Sequence, residues 1–196
     1  MKSADRRFAF PVSGIVAALL ALGVIGLATR VAALPPPQIR EPVRAFDYYD
    51  RLTDVESARA IQTAVEHHIT DETFWEQYRR KAWFRARAEL EFVLRIVPNH
   101  PLALYLLEMV ARLEEDVSYP IAYYERALRI FPNRAITRAR YGKYLSTIGQ
   151  REAALEQLRE AVAADSTLIQ ARAWLDEVEA SRGAGPPAQT LIDHAP

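Results

Sequence analysis

The chain has 196 residues, 50% of them hydrophobic and 26% charged, the balance of a folded domain that carries one apolar segment. It contains no cysteine, which excludes disulfides, thiolate metal sites, a cysteine nucleophile and a lipidated N-terminal Cys. Formal net charge is zero but uneven: Lys2, Arg6, Arg7, Arg30 and Arg40 against Asp5 make residues 1–40 net +4, so the remainder carries −4, a poor match to a nucleic-acid partner.

In chain order, residues 1–7 are a short basic N-terminus and residues 8–29, FAFPVSGIVAALLALGVIGLAT, contain no charge. At about 1.5 Å per residue such a helix reaches about 33 Å, enough to cross a bilayer core of roughly 30 Å. The run is longer than the apolar stretch of a cleavable signal peptide, although Val31-Ala32-Ala33 offers small residues at a cleavage position. The reading is an uncleaved single-pass transmembrane helix. Lys2, Arg6 and Arg7 precede it, so the positive-inside rule places the N-terminus in the cytoplasm and the rest across the membrane, in the periplasm of a bacterium. Gly14, Ala17, Ala18 and Ala21 put small residues on overlapping faces of the span, a permissive setting for helix pairing. Residues 30–42 form a proline-rich linker, and Pro35-Pro36-Pro37 favours either a stiff extended spacer or a plain helix stop.

From residue 43 to 70 the pattern is helical. Val43, Phe46, Tyr49 and Leu52 mark one short amphipathic element, and Thr53-x-x-Glu56 reads as a capping box opening a second that holds Val55, Ala58, Ile61, Ala64 and Val65. Thr70-Asp71-Glu72 reads as the next cap. Residues 71–97 have neither Gly nor Pro, so one long helix and two helices with a turn near Arg80-Lys81 stay equally open.

Beyond this point the chain repeats itself. Pro98-Asn99 and Pro132-Asn133 lie 34 residues apart, and a further 34 falls at Ser166. Within 135–166, Tyr141, Leu145 and Ile148 recur at helical spacing, Gly149-Gln150 breaks the chain, and Ala154, Leu155, Leu158, Ala161 and Val162 recur again. Tyr141, Gly142, Leu145, Ala154, Leu158 and Ala161 resemble, in register, the consensus of the tetratricopeptide repeat family, with Ser166 in place of its final Pro. Residues 101–134 resemble it through Leu104, Leu107, Ala111, Tyr124 and Ala127, but Glu108 replaces a Gly and Pro120 an Ala. Residues 71–100 keep only the second half, through Ala86, Leu90, Val93 and Pro98. Residues 167–181 read as a capping helix carrying Ile169, Ala173, Leu175 and Val178, and the tail at 182–196 as disordered. The fold class expected is all-α: a transmembrane helix followed by a short α-solenoid of helix-turn-helix repeats.

No phosphate loop, nucleophile elbow or metal-ligand pattern is present in the sequence. Neither catalysis nor a cofactor, metal or small-molecule substrate is expected. Adjacent His67 and His68 diverge by about 100° on a helix, and all four histidines, with His100 and His194, read as solvated. The resemblance implies that first helices line a groove which binds protein. Its residues would be Leu102, Tyr105, Leu106, Met109 and Arg112, an apolar half, and Ile136, Ala139, Arg140, Lys143 and Ser146, a half made cationic by Arg140 and Lys143. The Asn positions of the family's peptide-carboxylate clamp are missing. A groove filled by the chain's own N-terminal helices is the competing reading. The expected function is a scaffold or accessory subunit that recruits membrane or periplasmic proteins, with a permanent structural subunit and a periplasmic holdase as alternatives.

Overall fold

The structure, a computed structural model, describes residues 37–42 and 44–181. The expected transmembrane helix 8–29, the first part of the linker, Val43 and the tail 182–196 lie outside the described residues. Among the described residues the fold is all-α, and no helix is long and apolar enough to cross a membrane. The helices are α1 (Val55–His68), α2 (Phe74–Arg79), α3 (Trp83–Ile96), α4 (Pro101–Leu113), α5 (Tyr119–Ile130), α6 (Ala135–Thr147), α7 (Arg151–Ala164) and α8 (Ile169–Ala180), preceded by a 3-10 turn at Tyr48–Leu52.

Two starts differ from expectation. Asp54, not Thr53, caps α1: its carboxylate accepts from the Glu56 and Ser57 amides at 3.3 and 3.0 Å, while the Thr53 hydroxyl is spent on the Asp50 carbonyl. Thr70 does not cap α2. The residue before that helix is Thr73, whose hydroxyl instead accepts from the Thr70 amide at 3.1 Å. Residues 71–97 form two helices, and the chain breaks at Lys81, which takes φ 57°.

That break belongs to a series. The helices α2, α4 and α6 each end in one backbone motif, in which the two residues beyond the C-cap donate back to carbonyls of the last turn. After α2, Lys81 N donates to Tyr78 O at 3.0 Å and Ala82 N to Gln77 O at 2.9 Å. After α4, Glu115 N reaches Arg112 O at 3.2 Å and Asp116 N reaches Ala111 O at 2.9 Å. After α6, Gly149 N reaches Ser146 O at 3.2 Å and Gln150 N reaches Leu145 O at 2.9 Å. The positive-φ residues Lys81, Glu115 and Gly149 are thus 34 residues apart, as are the starts of α4, α6 and α8 at Pro101, Ala135 and Ile169.

Each helix buries one stripe. Leu90, Val93 and Leu94 of α3, Leu104, Leu107 and Val110 of α4, Tyr124 of α5 and Leu145 and Leu158 of α6 and α7 belong to one continuous core. Gly142 lets α6 approach α7 closely: a Cβ there would lie 2.7 Å from Leu158 Cγ and 3.1 Å from the Ala154 carbonyl oxygen. Pro120 is accepted because it falls in the first turn of α5. On α8 the buried face is Ala171 and Val178 with Trp174 and Leu175 packed behind. Ile169 and Ala173 are exposed, because they lie off that stripe.

The N-terminal segment straps the stack. Glu41 accepts from Nε and an Nη of Arg126, which is 1% exposed and also donates to the Leu94 carbonyl at 2.9 Å. Phe46 N donates to Ile96 O at 2.9 Å; Asp47 then accepts from Asn99 at 2.8 Å and from Arg134 at 2.5 Å. Arg134 also holds Asp50. Of the expected stripe through Phe46, Tyr49 and Leu52, the last fails: Leu52 is 85% exposed, since it ends the turn just before the chain swings into α1.

Candidate protein-binding face

The two halves of the expected groove fare differently. On α4, Leu102 and Tyr105 are 43% and 54% exposed, one turn apart, and Met109 is half-buried on the same side. Leu106, expected in the groove, is core at 2% exposure. Arg112 is exposed and donates to the Thr147 hydroxyl at 3.1 Å.

The α6 half offers little free charge. Lys143 Nζ donates to both Glu177 carboxylate oxygens of α8, at 2.7 and 2.8 Å, so its charge is matched within the molecule. Ala139 is fully buried, Ile136 is half-buried, and the Ser146 hydroxyl donates to the Lys143 carbonyl at 2.8 Å. Arg140 is half-buried, with its Nε enclosed and unpartnered among the described residues. It lies by the Tyr49 hydroxyl, whose pKa burial raises while the guanidinium opposes the rise. The strap therefore reaches the α6 side of the groove, and the α4 side stays open.

Beneath the open side lies a polar cluster. The Tyr124 hydroxyl donates to Glu108 at 2.6 Å, and its ring stacks on Tyr141 and Tyr144 at centroid distances of 5.2 and 5.9 Å. Burial is the largest influence on Glu108 and pushes its carboxyl up to about 7, opposed by the Tyr124 bond and by Arg112 and Arg140. The sequence marks Glu108 as a departure; nothing in it marks Tyr124 as the group that receives it.

Two histidines are not solvated as expected. His100 is 3% exposed, and its Nδ1 caps α4 by accepting from Ala103 N at 3.2 Å; burial lowers its pKa to about 4. His68 pairs with Glu89 at 2.7 Å and stacks on Phe92. His67 is exposed, and His194 lies outside the described residues. A concave surface of about 640 Å³ runs along α1, away from α4, and is walled by Phe46, Val55, Ala60, Ala64, Phe92 and Ile96. Its α1 side was legible only as helical spacing, since its other wall comes from α3. No protein-family model matches the chain, and no curated protein matches it.

Proposed function

We propose that the chain is a membrane-anchored, non-catalytic interaction module of the tetratricopeptide type, held in a bacterial inner membrane by residues 8–29. Its helices face the periplasm and recruit other envelope proteins through α4. The 34-residue recurrence of one helix-ending motif supports the repeat reading. One observation carries the choice of surface: Leu102 and Tyr105 stand exposed side by side on α4, while the neighbouring cation Lys143 is already matched internally. An exposed aromatic beside an aliphatic side chain, rimmed by polar groups, is the make-up of a protein-binding anchor.

A photo-crosslinking amino acid placed at Tyr105 in the full chain, in native membranes, tests this. A discrete adduct with one or a few membrane or periplasmic proteins is expected. Tyr105→Ala combined with Leu102→Ala should weaken recovery of that partner about tenfold or more, the size of a central interface residue. Adducts formed through Ala60 but not through Tyr105 would move the binding surface to the α1 groove and overturn the assignment. A broad smear of clients would support the holdase alternative instead.

A further inference from the structure

The corner where α2 turns into α3 has a composition found nowhere else in the chain. Residues 79–87 hold Arg79, Arg80, Lys81, Arg85 and Arg87 together with Trp83 and Phe84, and no acidic side chain. Arg79 is matched by Asp71 at 3.3 Å, Arg80 by Glu76 at 2.7 Å, and Arg87 by Glu91 and Glu114 at 3.1 and 2.7 Å. Lys81 and Arg85 are exposed, and no ion pair holds either of them among the described residues. Phe84 lies between them in the sequence and is 71% exposed.

The corner is held in shape from behind. Tyr78 packs edge-on against Trp75 and Trp83, with ring centroids 5.7 and 5.3 Å apart, and the paired backbone bonds beyond α2 fix Lys81 and Ala82. An outward phenylalanine in water is unfavourable, so within five residues of chain the corner exposes one apolar ring and two cations that no ion pair matches among the described residues. The anionic lipid interface supplies both requirements together: phosphates at its surface and apolar depth just beneath.

We propose that this corner rests on the anionic lipid surface of the membrane, with Phe84 entering the boundary between headgroups and acyl chains and Lys81 and Arg85 meeting lipid phosphates. The inference rests on the anchored reading of residues 8–29. It adds a second point of membrane contact, which would restrict how the α4 face is presented to partners.

The absence of cysteine permits a clean test on the full chain. Phe84→Cys and, separately, Ile169→Cys carry a nitroxide label, in nanodiscs of phosphatidylcholine alone or mixed with phosphatidylglycerol. In the anionic discs the label at position 84 should lose accessibility to a water-soluble nickel complex severalfold and gain accessibility to oxygen. Lys81→Glu with Arg85→Glu, or about 0.5 M salt, should reverse both changes. The label at 169, on a side chain 83% exposed, should stay nickel-accessible in both lipids. Equal nickel accessibility at 84 in both lipids, or no effect of the double charge reversal, overturns the proposal. A label buried from nickel only when a co-purified protein is present assigns the corner to that protein and also overturns it. Failure of the unlabelled chain to incorporate into any disc overturns the anchored reading itself.

Discussion

Glu108 occupies a position where a small residue would let helices close up, and the fold answers by turning its carboxyl onto Tyr124. The groups that face it are Tyr124 from α5, Arg112 from its own helix and Arg140 from α6, with Tyr144 alongside. Because its folded pKa, about 7, lies above the ordinary 4.5, the native state holds the proton more tightly than the unfolded chain. Stability from this residue is complete below about pH 4.5 and falls as pH rises through 7. Glu108→Gln keeps an acceptor for Tyr124 and removes the charge. It should raise stability at pH 8 by on the order of 2 kcal/mol, and the advantage should vanish near pH 4. Thermal unfolding of both chains across that range is the measurement, and a pH-independent difference would refute the account. His100 works in the opposite sense: its lowered pKa makes the fold lose stability as pH falls from 6.5 toward 4. Sequence marked the departure at Glu108, but the direction of its side chain depends on a tyrosine 16 residues away on another helix. His100 was misread for a related reason, since a turn residue looks solvated until a strap is laid over it.

Helix ends set the next scale. Gly149 was legible as a left-handed turn residue, because glycine adopts positive φ without steric cost. Lys81 and Glu115 adopt the same backbone with a Cβ, at φ 57° and 59°, and nothing in their identity announces it. This is why residues 71–97 read equally well as one helix or two. The left-handed conformation costs a non-glycine residue about 1–2 kcal/mol, part of which glycine returns as lost chain entropy. Lys81→Gly and Glu115→Gly should therefore each stabilise the fold by about 0.5–1 kcal/mol, raising the thermal midpoint by about 2 °C per site, and the two should add. A fall in the midpoint would mean that the Lys81 or Glu115 side chain contributes more than its backbone costs. Other element-scale readings were recovered unevenly. Gly142 packs against α7 as its small size suggests, whereas of the α8 stripe expected through Ile169, Ala173, Leu175 and Val178 only the last two pack inward, because a helix's rotation follows from its neighbours as well as from its own spacing.

At the scale of the molecule, the contacts that hold the helices to one another are short in sequence, and the strap is the exception. Glu41 and Arg126 are 85 residues apart, and Asp47 and Arg134 are 87 apart. No periodicity reports such pairs, so the residues that tie the strap down were beyond the sequence, which offered only the competing reading of a groove filled by the N-terminal helices, while the stacked helices were within it. Arg126 is almost wholly enclosed, and Glu41 is the only carboxylate among the described residues that hydrogen-bonds it. Glu41→Ala should cost about 1–2 kcal/mol, the lower end because Glu41 itself is 57% exposed and screened by water. Arg126 holds the Glu41 carboxyl below its ordinary range, so this contribution is present above pH 4.5 and is lost as pH falls through the folded value. Urea unfolding at pH 7 and at pH 3 checks it: the difference between the two chains should be smaller at the second than at the first. The strap also has a timetable. A ribosome makes Glu41 and Asp47 long before Arg126 and Arg134, and at about 5–20 residues per second the wait is roughly 4 to 17 s. Within that interval Phe46 and Asp47 can already meet Ile96 and Asn99, while the carboxylates of Glu41 and Asp50 still wait for their arginines.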